Sequence, residues 1–308
     1  MVTFPDVTEE QIGPCPACGA SNWSKAGQVK DYSVSGEWFE LRRCEGCWLK
    51  RTYHQPHEDK IGKYYASQEY ISHSDTRKGL TNKLYHWARS FMMKQKYDWV
   101  KSACGKEKGR LLDVGAGTGH FAHYMQMRGW DVVALEPDES ARNVAREKLG
   151  IRIEPLEALV HQQERSYDVI TLWHVLEHVY DIGGYMDHFS SLLKEEGSLI
   201  IAVPNHTSTD AKLYGENWAA YDVPRHLWHF SPVSMEFLFK NHGFEMTNKQ
   251  VMPLDAFYVS LLSEKYNGND FFGPVAAFIS GLKSFLKCRK HTELASSIIY
   301  TGKLQKPR

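Results

Sequence analysis

Hydrophobic positions along the chain follow two periods, one typical of short buried strands and one typical of amphipathic helices. Apolar runs of strand length alternate with segments whose apolar residues recur at helical spacing. The runs are residues 111–115, 131–136, 151–154, 168–173 and 198–203. Strands that alternate with helices in this way predict an α/β fold built on a largely parallel sheet.

Two longer apolar regions flank this repeat. Residues 61–108 read as a helical connector or lid, and residues 255–290 read as a helical insertion interrupted by Pro274 and Gly281. The insertion is too interrupted to span a bilayer, so we expect a lid or a dimer surface, with an interfacial membrane helix as the alternative. In the first region we expect core side chains at Leu84, Trp87, Ala88, Phe91, Met92 and Tyr97.

Composition sets limits on size and partners. With 308 residues and 42% hydrophobic content, the chain can bury one large core and a small appended domain. Its 37 basic and 37 acidic side chains cancel, so no overall field draws it to nucleic acid or to an anionic membrane. No apolar leader or spanning stretch stands out, and we expect a cytoplasmic protein whose oligomeric state stays open.

Four of the six cysteines form two C-x-x-C pairs, Cys15 with Cys18 and Cys44 with Cys47. Each tight turn directs two sulfurs to one point, and two such pairs supply the tetrahedral thiolate set of a closed structural zinc site. The segment between the pairs alternates in polarity and predicts a hairpin. Residues 1–60 therefore resemble a zinc ribbon, with reduced cysteines that hold no metal as the alternative.

Basic side chains around the second cysteine pair raise the question of nucleic-acid binding. However, residues 1–60 hold seven Lys and Arg against nine Asp and Glu, which makes this domain slightly acidic. We therefore favour a docking or substrate-shaping role for the ribbon and keep RNA binding as the alternative.

The stretch "LLDVGAGTGHF" places three glycines between a buried strand and a helix. A dinucleotide fingerprint would put its third glycine at position 120, which is His120. The run is instead D-x-G-x-G-x-G, and its carboxylate suits a ligand with an ammonium or sulfonium centre better than it suits a diphosphate. We expect the cofactor to contact Asp113, Gly115, Ala116, Gly117 and Gly119.

A second acid completes this cofactor site. Glu136 ends the next apolar run 17 residues after Gly119, where a carboxylate can accept hydrogen bonds from both hydroxyls of a ribose. A ribose joined to a cationic amino-acid group, without phosphates, indicates S-adenosylmethionine. The alternative is a surface glutamate at the end of a strand.

Residues 109–250 resemble the class I S-adenosylmethionine-dependent methyltransferases, close to the ubiquinone-biosynthesis-like O-methyltransferase branch. The stretches that carry the resemblance are DVGAGTGHF, ALEPD, EPLEAL, SYDVITLWHVLEHVYD and LLKEEGSLIIAVPN. It implies a Rossmann-like sheet of seven strands in the order 3-2-1-4-5-7-6, with GFEMTNKQVMPL and SSIIYTGKL as the last two strands. It also implies a methyltransferase domain over residues 109–308 and further cofactor contacts at Pro137, Leu156, Glu157, Trp173 and His174.

Two histidine clusters follow the fourth and fifth strands, at the sheet edge where ligands of such folds lie. A neutral histidine suits removal of a proton from an acceptor near pH 7, and we predict His178 and His226 as the candidate bases. The loop WAAYDVPRHLWHFS is rich in aromatic, cationic and basic side chains; the alternative is that they only pack the loop onto the sheet. The predicted acceptor pocket comprises Trp218, Tyr221, Arg225, Trp228 and His229.

The spacing of His174, Glu177 and His178 would present three side chains that can bind a metal on one helical face. Related quinone methyltransferases carry an E-x-x-E-H version that is linked to a divalent ion. Because histidine stands at the first position here, we expect only the structural zinc of the ribbon and leave a second metal open.

The expected function is transfer of a methyl group from S-adenosylmethionine to an oxygen or carbon of a small molecule, such as a sugar or a quinone-like metabolite. The chain contains no N/D-P-P-Y/F tetrapeptide, the usual motif of enzymes that methylate amino groups in nucleic acids. Two alternatives stay open: an RNA methyltransferase guided by the ribbon, and a non-catalytic cofactor-binding interaction protein.

Overall fold

The computed structural model describes residues 12–65, 80–269 and 272–305, with side chains of the first long helix from residue 88 onward. Residues 66–79 of the predicted connector, and the predicted core side chains of Leu84 and Trp87, lie outside what is described. The other four predicted core side chains of that helix, Ala88, Phe91, Met92 and Tyr97, are partly buried.

The described residues form ten strands and eight α-helices. The strands are β1 (Trp23–Lys30), β2 (Trp38–Cys44), β3 (Lys50–Thr52), β4 (Arg110–Val114), β5 (Asp131–Leu135), β6 (Tyr167–Trp173), β7 (Leu193–Pro204), β8 (Trp228–His229), β9 (Phe244–Val251) and β10 (Ser297–Leu304). The helices are α1 (Leu80–Cys104), α2 (His120–Gln126), α3 (Glu139–Leu149), α4 (Ile182–Leu192), α5 (Thr209–Tyr214), α6 (Pro232–Asn241), α7 (Asp255–Tyr266) and α8 (Gly273–Cys288).

The large sheet has the strand order β5-β4-β6-β7-β10-β9. Strands β5, β4, β6 and β7 run parallel, and β10 is antiparallel to both of its neighbours. This arrangement confirms the predicted α/β class and the antiparallel final pair. Because ligands of parallel sheets bind beyond the carboxyl ends of the strands, the site is expected where β4, β5 and β6 end.

The predicted seven strands are corrected to six within the described residues. Residues 151–154 form only one isolated bridge, between Leu135 and Glu154. Pro155 follows directly and has no N–H to continue a ladder. The side chains of Ile151 and Ile153 are instead buried beneath the glycine loop.

The small sheet joins the N-terminal region to the rest of the chain. Its order is β1-β2-β3-β8, and the antiparallel β1–β2 pair is the predicted hairpin. Strand β3 pairs with β8, which belongs to the loop predicted to line the acceptor pocket. One buried apolar cluster contains Cys15 and Trp23 of the ribbon as well as Leu172 and Met235 of the larger domain. The two parts therefore share a core.

In the described part of the chain, no helix is both long enough and apolar enough to cross a membrane.

Candidate active site

Four cysteine sulfurs converge in the ribbon. The Sγ atoms of Cys15 and Cys47 lie 3.5 Å apart, as do those of Cys18 and Cys44, and all four lie within 4.8 Å of one another. A tetrahedral zinc with Zn–S bonds of about 2.3 Å separates its sulfurs by about 3.8 Å, so the set fits zinc. The sulfurs are too far apart for disulfides, and all four cysteines are free.

The glycine loop after β4 has two packed positions and one open position. Gly115, Gly117 and Gly119 have φ angles of 72°, 54° and 79°, which other residues rarely adopt. A Cβ atom at Gly115 would collide with Val175, and one at Gly119 would lie 2.7 Å from the Cδ1 of Ile151. At Gly117 a Cβ would meet no atom within 4 Å. The open side of the loop is therefore at Gly117.

The predicted ribose acid lies against this open position. The Gly117 N–H donates to Oε2 of Glu136 at 2.7 Å, and the Asp138 N–H donates to Oε1 at 3.0 Å. Burial raises the pKa of Glu136 above its usual value. Each carboxylate oxygen keeps a further lone pair for a ligand hydroxyl. Pro137 follows on the surface, and the predicted adenine contacts Leu156 and Glu157 begin the 3₁₀ turn Leu156–His161.

Asp113 ends up buried beneath the loop with an unexpected cation beside it. The Thr171 hydroxyl donates to its Oδ1 at 2.8 Å, and burial raises the pKa of Asp113 to about 7. Lys96 of α1 interacts electrostatically with this carboxylate, and its Nζ lies 4.5 Å from the ring centroid of Trp173. Burial lowers the pKa of Lys96 to about 8.

Sequence reasoning missed Lys96, although a signal was present. The residue stands four positions after Met92 and four before Val100, so it lies on the inward face of α1. A lysine on the inward face of a helix is stable there only if an acidic side chain is close enough to pair with it.

His174 follows β6 and binds two carboxylates. Its Nε2 lies 2.9 Å from Oδ2 of Asp255, and its Nδ1 lies 3.4 Å from Oε1 of Glu177. Burial favours the neutral ring, but the two carboxylates outweigh it and raise the pKa of His174 to about 10. While it is protonated, His174 supplies a positive charge between these two carboxylates.

Glu177, His178 and His226 form the most unusual cluster of the site. Glu177 is 1% exposed, and neither of its carboxylate oxygens accepts a hydrogen bond from the described residues. One ligand atom from each of the three side chains lies within 4.8 Å of the others, and the two imidazole rings meet edge to face with centroids 4.7 Å apart. Buried carboxylates are normally hydrogen-bonded, so this one is poised for a partner.

The protonation of the two rings follows from their backbone contacts. Nδ1 of His178 lies 3.0 Å from the Arg225 carbonyl, and Nδ1 of His226 lies 2.9 Å from the Ala220 carbonyl. Because a carbonyl only accepts, each Nδ1 carries a proton, and Nε2 is the atom that takes a further proton when the ring is neutral. Burial, with the nearby His226, lowers the pKa of His178 to about 4. Burial opposes ionisation of Glu177, yet His174 and His226 keep its pKa below the usual value.

The ribbon holds the loop that carries His226. Arg225 is buried, and its guanidinium donates to Asp31 of the ribbon at 3.1 Å and to Asp222 at 2.6 Å. The Thr52 hydroxyl donates to the His226 carbonyl at 2.7 Å. The phenol of Tyr65 lies 3.0 Å from Nδ1 of His178. The contacts to the loop thus come from Asp31 and Thr52 of the ribbon, whereas Tyr65 belongs to the connector and contacts the neighbouring His178.

The other predicted pocket residues pack between the two parts of the molecule. The indole of Trp218 donates to Asp210, and the indole of Trp228 donates to the Val179 carbonyl, each at 2.8 Å. Tyr221 accepts a hydrogen bond from Lys50, and His229 contacts the Thr52 hydroxyl at 3.0 Å. All four side chains are buried. The predicted pocket residues therefore lie together, but most of their polar atoms already have protein partners.

Comparison with known proteins fits this geometry. A family model described as a methyltransferase domain matches residues 86–249, more than half of the chain. The chain belongs to the methyltransferase-domain family. The predicted identity as an S-adenosylmethionine-dependent methyltransferase is confirmed at the level of the family.

Individual relatives are more distant. A ubiquinone biosynthesis O-methyltransferase of Acinetobacter baylyi is 31% identical over 117 residues, which cover 35% of this chain and 49% of that protein. The chain thus spans about half the length of that relative. A protein of the same name from Acinetobacter baumannii (strain AYE) is 27% identical over 52% of this chain and 76% of its own length.

A solved structure shares the fold. The 1,6-didemethyltoxoflavin-N1-methyltransferase of Burkholderia thailandensis, with bound 1,6-didemethyltoxoflavin and S-adenosylhomocysteine, aligns with a TM-score of 0.50. The alignment covers 90% of this chain and 100% of that one at 14% identity. At this identity the likeness shows the fold alone.

Proposed function

We propose that this protein transfers a methyl group from S-adenosylmethionine to an oxygen or carbon atom of a small-molecule acceptor. The observation that carries the proposal is the continuity of the site. The open glycine loop packs on Val175 after β6, His174 contacts Glu177, and Glu177 adjoins His178 and His226, so these residues form one row of neighbours.

The cofactor half of the row matches the parts of this ligand. We assign Glu136 to the ribose hydroxyls and the segment from Leu156 to the adenine. Asp113 and Lys96 carry opposite charges beneath the loop, from where they can act electrostatically on the ammonium and carboxylate of an amino-acid group. When bound, S-adenosylmethionine supplies a methyl group on a positively charged sulfur, a good leaving group.

The acceptor half of the row is suited to proton removal. As the acceptor atom bonds to the methyl carbon, the carbon–sulfur bond breaks with its electron pair going to sulfur, and the acceptor must lose a proton. Nε2 of His226 or His178 is available to take that proton. Glu177 then stabilises the resulting imidazolium, because its buried carboxylate lies beside both rings and accepts no hydrogen bond from the described residues.

We further propose that the ribbon, residues 1–60, shapes the acceptor side and does not bind RNA. Asp31 and Thr52 of this domain hold the loop on both sides of His226. The basic Lys50 and Arg51 lie over the rings of Tyr221 and Trp228, which removes two of its cations from an exposed patch. A small-molecule acceptor also agrees with the activity named for the ubiquinone-biosynthesis relatives.

Glu136→Ala tests the cofactor assignment. Loss of the ribose carboxylate should weaken S-adenosylmethionine binding at least tenfold by titration calorimetry, because two ligand hydroxyls lose their charged acceptor. Glu147→Ala, an exposed acid on the adjacent α3, is the matched control and should bind normally. Equal affinities of the two variants would contradict the assignment.

The acceptor class is tested by turnover. Purified protein incubated with methyl-labelled cofactor and fractionated cell metabolites should transfer label to a small-molecule fraction and release S-adenosylhomocysteine. Salt-sensitive label transfer to RNA would favour the RNA alternative. Tight cofactor binding with no transfer to any fraction would favour a non-catalytic binding protein.

A further inference from the structure

The helical hairpin formed by α7 and α8 exposes an unusual amount of apolar surface. Of the fifteen exposed large hydrophobic side chains among the described residues, eight lie on this hairpin. Five of them form what we call the apolar stripe of α8. The stripe consists of Val275, Phe278, Ile279, Leu282 and Leu286. Exposed apolar patches of this kind mark interaction surfaces more often than single exposed residues do.

The stripe is the outward face of the helix and not a frayed part of the core. The inward face carries small side chains, with Gly273, Ala277, Gly281 and Cys288 buried. A Cβ atom at Gly281 would lie 2.7 Å from the ring of Phe257, so α8 packs closely on α7 through this face. The large apolar residues therefore point outward because the small ones are needed inside.

Charge next to the stripe has one sign. Lys283 and Lys287 lie beside it on α8, and Arg289 and Lys290 follow directly; all four are exposed. The described part of α8 contains no acidic residue. On α7, Asp255 pairs with His174 and Glu264 is buried against Tyr214. The hairpin thus presents apolar side chains bordered by cations without an exposed acid among its described residues.

We propose that the apolar stripe and its lysines bind the surface of an anionic lipid bilayer. An interfacial helix inserts its apolar face at the headgroup boundary, while neighbouring lysines extend toward anionic headgroups. A second copy of the chain is a poorer occupant, because self-pairing would bring two basic borders together, and the described residues of each hairpin include no exposed acid. The hairpin starts at Asp255, whose carboxylate contacts His174 of the candidate site.

Vesicle sedimentation with the full chain tests this proposal. The protein should bind vesicles of phosphatidylcholine mixed with phosphatidylglycerol, and bind pure phosphatidylcholine more weakly. Ile279→Asn combined with Leu286→Asn should lower partitioning at least about tenfold, since two apolar anchors are lost. Lys283→Gln combined with Lys287→Gln should lower binding to mixed vesicles by about tenfold or more and have little effect on pure phosphatidylcholine.

Controls separate membrane binding from folding defects and from self-association. Met127→Asn removes an exposed apolar side chain far from the hairpin in sequence and should bind vesicles normally. All variants should retain S-adenosylmethionine affinity, which shows that they are folded. If the asparagine variant does not fold, the vesicle binding of the lysine variant tests the proposal. The proposal is overturned if the unmodified chain does not bind mixed vesicles or if the variants bind as it does. It is also overturned if sedimentation velocity shows a dimer that the asparagine variant abolishes while vesicle binding stays unchanged.

Discussion

Glu177 carries a negative charge where water cannot reach it and where no hydrogen bond from the described residues offsets it. Such a group is costly in a folded protein unless a positive charge is nearby. His174 supplies one permanently, and either His178 or His226 supplies a second when it takes a proton. The buried carboxylate therefore stabilises the imidazolium that forms when His178 or His226 removes a proton from the acceptor.

Substitution of His226 tests this function at the scale of one side chain. His226→Asn should lower kcat by about 10²–10⁴-fold, the usual contribution of a general base. The affinity for S-adenosylmethionine should stay unchanged, because the side-chain contacts of His226 in the described residues are with Ala220, Asp222 and His178 and not with the glycine loop. His242→Asn, a histidine paired with Asp187 away from the site, is the control. Full activity of His226→Asn would leave His178 as the base.

Sequence reasoning identified these histidines but not the residues that set their charge. His174 and Asp255 are far apart along the chain, and no local spacing rule connects them. The same holds for Lys96 and Asp113, which belong to a helix and to the strand after it. Sequence motifs identify functional residues that are close together along the chain. The pKa values of those residues depend on contacts with distant segments, which form only when the chain folds.

At the scale of elements, substitutions at two glycines of the same loop should have different effects on cofactor binding and on stability. Gly119→Ala should destabilise the fold by about 1–3 kcal/mol, because its Cβ would press on Ile151 in addition to the backbone strain. Gly117→Ala has open space around its Cβ and should cost only the strain, about 1 kcal/mol. Only the second substitution should weaken cofactor binding beyond its effect on stability, since its methyl group enters the open side of the loop.

Chemical denaturation and titration calorimetry on both variants check this pair. Stability loss should be larger for Gly119→Ala, and affinity loss per unit of stability should be larger for Gly117→Ala. The reverse order would place the ligand on the other side of the loop.

The sheet shows where periodicity succeeds and where it fails. Strands in the middle of the sheet, such as β6 and β7, are buried on both faces and read as continuous apolar runs. Residues 151–154 have the same apolar character, yet they lie at the sheet edge and meet Pro155 after one bridge. The apolar character of residues 151–154 predicted correctly that Ile151 and Ile153 are buried. These side chains pack against the glycine loop, and the segment does not form a strand of the sheet.

At the scale of the whole molecule, histidines set opposite slopes of stability with pH. His178 and His206 have pKa values lowered by burial, to about 4 and about 3. The unfolded chain binds protons at these residues first, so stability should fall as the pH drops from about 6.5 toward 4. His174 has the opposite sign. Its stabilising charge is fully present below about pH 6.5 and is lost as the pH rises through about 10.

Lys96 and Asp113 also have shifted pKa values, so the contribution of His174 is measured as a difference between two proteins. The urea midpoint of the unmodified protein minus that of His174→Gln should fall as the pH rises from about 6.5 through about 10. A difference that stays constant up to pH 10 would contradict the ion pairs of His174 with Asp255 and Glu177.

Zinc removal distinguishes the two halves of the molecule. The predicted cofactor residues lie on β4, β5 and the loops after them. The loop of His226 instead contacts the ribbon, through the pairing of β3 with β8 and through hydrogen bonds with Thr52 and Asp31. Cys44→Ser removes one of four thiolates and should release zinc, because a structural site needs the full tetrahedral set. The expected result is loss of methyl transfer with S-adenosylmethionine affinity kept within about threefold, a difference under 1 kcal/mol.

The matched control for this variant is Cys104→Ser, a cysteine outside the cluster, which should keep zinc, turnover and affinity. Metal content by emission spectroscopy and affinity by calorimetry are measured on the same preparations. If turnover persists without zinc, the ribbon has no part in shaping the acceptor side. If cofactor affinity falls as far as turnover, the shared core has transmitted the damage, because Cys15 and Trp23 pack in the same buried cluster as Leu172 of β6. Separate effects on binding and turnover are expected only if the ribbon acts through the loop of His226.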